Sequence, residues 1–241
     1  NLIARSKAET QAERIADAAR QIEGAFSLVI TTNDSLVGVR DPQGFRPLCL
    51  GKTENGYVLS SESCAFDAIK AEFIRHIDPG EMVIIDDSGV RSVIYAEPEK
   101  IDKKLCVFEY IYFARGDSHI DGQSVYQSRL NMGRELYNET KYDADIVMSI
   151  PDSGTTAALG YARASGIPFA EGLVKNRYSG RTFIKPNQEE RELAVRMKLN
   201  PLPHVVSGKR IVLIDDSIVR GTTSGIIVKM LKEAGAKEVY M

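Results

Sequence analysis

One thirteen-residue run, VLIDDSIVRGTTS at residues 212–224, constrains the fold of this chain more than any other feature. An apolar strand pattern leads directly into two adjacent carboxylates, and a Gly-Thr-Thr-Ser turn then opens a helical pattern. In parallel α/β sheets, ligands bind beyond the carboxyl ends of the strands, where the following helices begin. The run therefore predicts a strand–turn–helix unit of a parallel sheet, with an anion-binding site at the turn.

The polar residues of this run could form a phosphate site beside a sugar site. Backbone N–H groups at the start of the helix, with the hydroxyls of Thr222, Thr223 and Ser224, would hold a phosphate. Asp215 and Asp216 would face the same crevice and accept hydrogen bonds from sugar hydroxyls, directly or through Mg²⁺. The alternative is an ordinary strand–turn–helix with a capping threonine and solvated aspartates.

The second half of the chain alternates between strand and helix patterns. The strand patterns lie at residues 105–114, 145–150, 210–214 and 237–241, and the helical patterns at 122–139, 155–165 and 223–234. Such alternation implies βαβ units and a parallel sheet.

The first hundred residues follow a different pattern. A capping box of Ser6 and Glu9 predicts the start of a first helix, which Gly24 ends. One short helix is predicted at 62–71, and the predicted strands are 25–31, 35–40, 57–61, 73–77, 81–85 and 90–96. Many short strands with few helices indicate a layered, mostly antiparallel α+β unit. The charged stretch EPEKIDKK at 97–104 is the predicted linker, so we predict domains at 1–100 and 101–241.

Composition excludes several classes of protein. Apolar residues make up 43% and charged residues 27% of the 241 residues, which is typical of a globular chain. Lys and Arg number 31 against 33 for Asp and Glu, so no global positive field is available to hold nucleic acid. Apolar runs reach only strand length, which predicts no membrane span. Three cysteines without a C-x-x-C pair favour the cytoplasm over a disulfide framework.

Two more segments carry candidate site residues. The run SIPDSGT at 149–155 is a second strand-to-helix turn, although P-D-S-G is also a common structural turn. Residues 175–198 hold seven basic residues against three glutamates. This basic stretch is either a solvated surface loop or a lid that closes over a highly charged ligand.

The two turns together resemble a known family. Residues 212–224 resemble the signature of type I phosphoribosyltransferases, which bind 5-phosphoribosyl 1-pyrophosphate (PRPP), and SIPDSGT is similar to their pyrophosphate loop. Segments of the second half narrow the resemblance to the glutamine PRPP amidotransferase family: CVFEYIYFARGDS, LVKNRYSGRTFI and VRMKLN. Segments of the first half resemble the later part of that family's N-terminal-nucleophile (Ntn) glutaminase domain: EGAFSLVI, RDPQGFRPL, SESCAFD and PGEMVIID.

The resemblance implies a fold and an activity. The fold would be α/β: the distal part of an α+β Ntn-hydrolase glutaminase layer structure, then a type I phosphoribosyltransferase parallel sheet flanked by helices. The activity would be a pentosyl transfer that forms 5-phosphoribosylamine and pyrophosphate from PRPP and glutamine-derived ammonia, the first step of de novo purine biosynthesis. The resemblance also implies a homo-oligomer, purine nucleotides as feedback inhibitors, and no nucleic-acid or membrane partner.

The glutaminase of that family uses an N-terminal cysteine as its nucleophile. This chain begins with Asn1, and none of its cysteines takes that role. We therefore expect a fragment that lacks the N-terminal part and the C-terminus, with no glutaminase catalytic residue of its own.

The resemblance assigns a PRPP site and two cofactor positions. The implied PRPP-binding residues are Asp152, Ser153, Lys175, Arg181, Asp215, Asp216, Ser217, Arg220, Gly221, Thr222, Thr223 and Ser224. Mg²⁺ would be held by Ser153, Asp215 and Asp216. Cys106 is a candidate ligand of a [4Fe–4S] cluster, and the alternative is a buried strand cysteine.

Two other functions are compatible with a PRPP-binding fold. One is a different type I phosphoribosyltransferase, and the glutaminase-like first half argues against it. The other is a PRPP-binding transcriptional regulator, which should carry a basic DNA-binding domain in front. The first hundred residues show neither a helix-turn-helix pattern nor a concentration of basic residues.

Overall fold

The structure is a computed structural model that describes residues 1–178, 188–219 and 221–241, and at residues 188–191 it describes the backbone alone. The chain divides into two compact units, Asn1–Val125 and Tyr126–Met241. Residues 101–125 therefore pack with the first unit, and their predicted membership of a phosphoribosyltransferase domain stays a prediction. No helix in the described part of the chain combines the length and the apolar character that crossing a membrane would require.

The helices and strands follow each other along both units. The described helices are α1 (Leu2–Arg5), α2 (Gln11–Arg20), α3 (Cys64–Ile69), α4 (Val125–Glu139), α5 (Thr155–Ser165), α6 (Gln188–Lys198), α7 (Pro203–Val206) and α8 (Thr222–Glu233). The strands of the first unit are β1 (Ser27–Thr31), β2 (Leu36–Arg40), β3 (Cys49–Thr53), β4 (Gly56–Ser60), β5 (Glu72–His76), β6 (Glu81–Asp86), β7 (Gly89–Ile94), β8 (His119–Ile120) and β9 (Gln123–Ser124). Those of the second unit are β10 (Ile146–Ser149), β11 (Leu173–Lys175), β12 (Leu199–Pro201), β13 (Arg210–Ile214) and β14 (Glu238–Tyr240).

The first unit is layered and antiparallel, as predicted. Strands β1, β2, β6 and β7 form one antiparallel sheet, and β4, β3 and β5 form another. Helix α2 packs on the first sheet, where Ile15 and Ala19 meet Val39 and Ile84 in one buried cluster. Strand β3 was not predicted, because its glycine, Gly51, weakens the strand pattern and lies at a break in its pairing with β5.

The predicted capping box of the first helix is wrong. Helix α2 begins after Thr10, whose Oγ1 accepts a hydrogen bond from the Glu13 N–H at 3.2 Å, while Glu13 Oε2 accepts one from the Thr10 N–H at 3.1 Å. Ser6 instead donates to Asp17 at 2.7 Å. The spacing of a capping box occurs twice in succession, at residues 6–9 and 10–13, so the spacing alone cannot choose between them.

The strand predicted at residues 105–114 is also wrong. Residues Glu109–Phe113 form a π-helical turn, in which the Ala114 N–H donates to the Glu109 carbonyl oxygen at 3.1 Å. Glu109 is buried, whereas Tyr112 and Phe113 are exposed. A run of aromatic and β-branched residues is typical of a strand. Side chains that are buried five residues apart are instead typical of a π-helical turn.

The second unit is built on a parallel sheet, as predicted. Strand β13 lies between β10 and β14 and is parallel to both. Its alternate residues enter two buried clusters, one with Leu213 and Ile227 and the other with Val212 and Tyr161. Burial on both faces is characteristic of parallel sheets, and it explains the continuous apolar run of this strand.

Helices α4 and α5 cross with almost no space between them. A Cβ atom placed on Gly133 of α4 would lie 1.8 Å from the carbonyl oxygen of Ala157. A Cβ atom placed on Gly160 of α5 would lie 2.1 Å from the carbonyl oxygen of Leu130. Only glycine fits at these two positions, so the two helix backbones hold each other in a fixed register.

The basic stretch at 175–198 begins and ends at a short antiparallel ribbon that was not predicted. Strand β11 pairs with β12, and Lys175 lies opposite Leu199. The second part of the stretch is helix α6. Residues 179–187, which include the predicted site residue Arg181, lie outside the described residues, as does Arg220.

Candidate functional site

The two predicted turns begin side by side at one edge of the parallel sheet. In the register of β10 and β13, Ser149 lies opposite Ile214. The next residue, Ile150, donates its N–H to the Ile214 carbonyl oxygen at 2.9 Å. The chain segments at 150–154 and 215–217 therefore leave the sheet together, as expected for a ligand site at the carboxyl ends of parallel strands.

A glycine brings these two segments into direct contact. A Cβ atom on Gly154 would lie 2.6 Å from the Ile214 carbonyl oxygen and 3.1 Å from the Cα atom of Asp215. The SIPDSGT turn, which resembles a pyrophosphate loop, therefore contacts the end of the strand that carries Asp215 and Asp216. Local sequence pattern gives Gly154 no role of its own, and its place in SIPDSGT is the only signal for one.

The first turn also brings together residues that are distant in sequence. Asp152 is exposed, and its Oδ2 lies 2.5 Å from Lys175 Nζ, so β11 reaches this loop. The peptide bond between Pro151 and Asp152 is cis. Below the loop, the hydroxyls of Ser149 and Thr155 lie 3.1 Å apart and hold the start of α5 to the end of β10. An exposed ion pair contributes about 0–1 kcal/mol, so Lys175 can exchange Asp152 for another anion at little cost.

The start of α8 leaves its donors free among the described residues. Gly221 occupies the N-cap position, with φ at +69°, and therefore no side chain caps the helix. The alternative of a capping threonine is wrong, because Thr222 and Thr223 are already inside the helix. Within the described part of the chain, the hydroxyls of Thr222, Thr223 and Ser224 make no hydrogen bond. The first N–H groups of a helix have no intrahelical acceptor, so this end presents several donors and a positive dipole end.

The carboxylate pair is electrostatically strained. Asp215 is half-buried, and burial together with the neighbouring Asp216 side chain raises the pKa of Asp215 to about 6. A hydrogen bond of 2.9 Å from the Asp216 N–H to Asp215 Oδ1 opposes this rise only in part. A half-buried carboxylate beside a like charge is stabilised by a cation.

The residues present suit Mg²⁺. Among the described residues, no three His, Cys, Asp or Glu side chains converge as a metal site. Mg²⁺ is commonly held by one or two carboxylates together with oxygens of a bound phosphate substrate, and Asp215 and Asp216 provide that donor set.

The cysteines differ in their surroundings. Cys49 and Cys64 are buried, and burial raises the pKa of the Cys49 thiol to about 12. Cys106 is half-exposed, its N–H donates to the Phe45 carbonyl oxygen at 3.1 Å, and it lies outside any strand. The alternative of a buried strand cysteine is therefore wrong, and the cluster ligand stays a prediction.

Comparison with known proteins identifies the family. Residues 3–68 match the model of a glutamine amidotransferase domain. The amidophosphoribosyltransferase of Archaeoglobus fulgidus is 54% identical over 90% of this chain, and that of Bacillus subtilis is 48% identical over all of it. The chain belongs to the amidophosphoribosyltransferase family. It covers 47% and 50% of those two relatives, so it spans about half the length of the curated amidophosphoribosyltransferases it matches.

A solved structure of that family has the same fold. The B. subtilis glutamine PRPP amidotransferase, in a complex with ADP and GMP, aligns with a TM-score of 0.92 and 48% identity. The alignment covers 99% of this chain and 52% of the B. subtilis chain. The predicted fold class is thereby confirmed, from the antiparallel glutaminase-like layers to the parallel sheet with flanking helices.

Proposed function

We propose that this chain forms part of an enzyme that joins glutamine-derived ammonia to C1 of PRPP, yielding 5-phosphoribosylamine and pyrophosphate in the first step of de novo purine biosynthesis. Its family membership over both units supports this function against a different phosphoribosyltransferase or a PRPP-binding regulator. The observation that carries the proposal is the direct contact of the Gly154 turn with the strand end at Asp215. Because of that contact, the loop that resembles a pyrophosphate loop lies beside the carboxylates of Asp215 and Asp216.

The start of α8 would hold the 5-phosphate of PRPP. Its first N–H groups and the hydroxyls of Thr222, Thr223 and Ser224 supply donors without an acceptor among the described residues. The helix dipole adds a favourable field for an anion. The resemblance assigns Ser217, Arg220 and Gly221 to the same phosphate site, and Arg220 lies outside the described residues.

The carboxylate pair would hold the ribose, and the first turn would hold the pyrophosphate. Asp215 and Asp216 accept hydrogen bonds from the ribose hydroxyls and, with Ser153, contribute ligands to Mg²⁺. Mg²⁺, when bound, neutralises charge on the departing pyrophosphate. Asp152 lies in the same turn, and Lys175 supplies positive charge next to it. Arg181, which lies outside the described residues, is proposed as a further cation for the pyrophosphate.

The chemistry needs positioning more than a protein nucleophile. The bond between C1 and the pyrophosphate oxygen breaks while the lone pair of ammonia forms the new C1–N bond, and the nitrogen then loses a proton to solvent. Positive charge develops on the ribose, and negative charge leaves with the pyrophosphate, so fixed groups of both signs stabilise the transition state. Lys175 can leave Asp152 and follow the pyrophosphate, because their ion pair is exposed.

Several partners belong to the proposal. The B. subtilis neighbour is in a complex with ADP and GMP, which supports purine nucleotides as feedback inhibitors of this protein. A cytoplasmic homo-oligomer, and a [4Fe–4S] cluster that uses Cys106, stay predictions. The chain has three cysteines, two of them buried, so it offers a cluster only one accessible thiolate of its own.

The test is the ammonia-dependent formation of phosphoribosylamine by the full-length enzyme. Asp215→Asn and Asp216→Asn keep the size of each side chain and should lower the rate about a hundredfold, the scale of losing one preorganised electrostatic group. Asp143→Asn is the matched control, since this exposed aspartate pairs with Arg210 at the opposite end of the strands. Wild-type rates in both site variants would contradict the proposed site.

A further inference from the structure

We infer that Asn176 is a positioning residue, which holds Lys175 in place for the pyrophosphate of PRPP. Asn176 directly follows Lys175 in the segment LVKNRYSGRTFI, and the local sequence pattern gives it no role of its own. Its role rests on the proposed function, because Lys175 acts on PRPP only if this chain binds PRPP. Every contact that supports this role lies within the second unit.

Lys175 stands at the end of a short ribbon that gives it little support. Strands β11 and β12 have three residues each, and the pair of Lys175 and Leu199 is the last one of the ribbon. An isolated two-stranded ribbon is only marginally stable in water. Leu173 lies on the same side of the ribbon and is buried, whereas Lys175 is exposed. The position of the Lys175 ammonium group therefore depends on what holds this end of β11.

Asn176 attaches this end of the ribbon to the end of helix α6. Its N–H donates to the Lys198 carbonyl oxygen at 2.7 Å, and its Nδ2 donates to the Met197 carbonyl oxygen at 3.1 Å. Met197 and Lys198 are the last two residues of α6. The last carbonyl groups of a helix have no donor within the helix, so Asn176 supplies these donors from another element.

The side-chain oxygen of Asn176 fixes the chain that follows. Asn176 Oδ1 accepts a hydrogen bond from the Tyr178 N–H at 3.0 Å, which forms a local turn. One side chain thus binds forward to Tyr178 and across the ribbon to Met197. Alanine at this position would lose both bonds, whereas the shorter serine hydroxyl could form only the local one.

Helix α6 is itself held against the helix that begins at the proposed phosphate site. Arg196 donates to both carboxylate oxygens of Glu233 in α8, at 2.9 and 3.2 Å. Val195 packs on the buried cluster to which α8 contributes. Through Asn176, Lys175 is therefore held relative to α8, where the 5-phosphate of PRPP would bind.

Such support matters because a lysine side chain has several rotatable bonds. Lys175 Nζ lies 2.5 Å from Asp152 Oδ2, and both side chains are exposed, so this ion pair alone restrains Lys175 weakly. A cation whose backbone is already fixed loses less conformational freedom when it binds an anion. Asn176 would therefore strengthen the contact between Lys175 and the pyrophosphate without touching the pyrophosphate itself.

A double-mutant cycle in the full-length enzyme tests this role, with ammonia as the nitrogen source and Mg²⁺ present. Asn176→Ala should lower kcat/KM for PRPP about tenfold, the scale of losing one hydrogen bond to a charged group, and leave the KM for ammonia unchanged. Lys175→Met should lower kcat/KM by a similar factor. Because Asn176 acts through Lys175, adding Asn176→Ala to Lys175→Met should cause no further loss.

Two further variants make the comparison specific. Asn176→Ser keeps an acceptor for the Tyr178 N–H but loses the bond to Met197, so it serves as the second variant if the alanine variant does not fold. It should also lower kcat/KM for PRPP, and again only while Lys175 is present. Asn200→Ala is the matched control, since this exposed asparagine lies in the same ribbon opposite Val174 and should retain wild-type values.

Three results would overturn the inference. The first is a kcat/KM for PRPP that equals the wild-type value in both Asn176 variants, and the second is an unchanged value in Lys175→Met. The third is a double variant in which the two losses multiply, because Asn176 would then act on the fold or the site independently of Lys175. A wild-type enzyme that makes no phosphoribosylamine from PRPP and ammonia would instead refute the proposed function, and the role of Asn176 with it.

Discussion

Replacing Asp215 with asparagine should make the ligand-free protein more stable, although it lowers the rate of the proposed reaction about a hundredfold. In the folded chain, burial and the neighbouring Asp216 raise the pKa of Asp215 from 3.8 to about 6. One pKa unit is equivalent to about 1.4 kcal/mol, so the full rise corresponds to about 3 kcal/mol. Asp215 remains half-exposed, and screening by solvent reduces the expected effect to about 1–1.5 kcal/mol.

The sign of this effect depends on pH. A carboxyl group with a raised pKa binds its proton more tightly in the folded state than in the unfolded state. Between pH 3.8 and about 6 the wild type therefore loses stability as the pH rises, and above that window the loss is complete. Asparagine has no charge to lose, and its side-chain oxygen can still accept the hydrogen bond from the Asp216 N–H. The gain in the variant should be full at pH 8 and nearly absent at pH 4.

Urea unfolding followed by circular dichroism measures this directly. The chain has no tryptophan, so the helical signal is the practical probe, and EDTA keeps divalent cations from binding the carboxylate pair. Asp143→Asn should show the opposite sign, a small loss of stability, because it removes a favourable exposed partner of Arg210. An Asp215→Asn variant that is less stable than the wild type at pH 8, or equally shifted at both pH values, would refute the reasoning.

Three further predictions follow from packing and exposure. Gly133→Ala should lower the free energy of unfolding by about 3 kcal/mol, because its methyl group meets a backbone carbonyl oxygen of α5. Gly225→Ala adds a methyl group to open space on α8, so it should not destabilise the protein in the same urea titration. Gly154→Ala should raise the KM for PRPP about tenfold or more in the full-length enzyme, since it forces the two site loops apart, and an unchanged KM would show that the loops tolerate separation. Iodoacetamide at pH 8 should label Cys106 well before Cys49, because burial raises the pKa of the Cys49 thiol to about 12. Equal labelling rates of the two cysteines, read by mass spectrometry of proteolytic peptides, would contradict this order.

Local pattern was sufficient where one segment carries its own signal. The strand predicted at 210–214 and the helix predicted at 155–165 have the bounds that the structure shows. The strand of β13 is a continuous apolar run that is buried on both faces, and the polar residues after it stand at the carboxyl edge of the sheet. The placement of Asp215 and Asp216 beside the start of a helix thus follows from chain order alone.

Local pattern failed where the same segment fits two local conformations. Two capping boxes were available before α2, and only packing on the sheet selects the one at Thr10. The aromatic run at 105–114 has strand composition, but the burial of Glu109 beside Arg46 turns it into a π-helical turn. In both cases contacts with residues elsewhere in the chain outweigh a weak intrinsic preference.

The sequence by itself determined some elements, among them β13 and α5, together with the parallel sheet and the residue types at the ends of β10 and β13. Tertiary structure alone decided which distant segments touch: Gly154 against Asp215, Gly133 against α5, and the Glu62 carboxylate against Arg115 and Ser118. The glycine contacts depend on the missing side chain of one residue and the backbone of another, and the Glu62 contacts join residues more than fifty positions apart. Neither kind of contact leaves a periodic signal along the chain, because periodicity reports only how each segment faces the core.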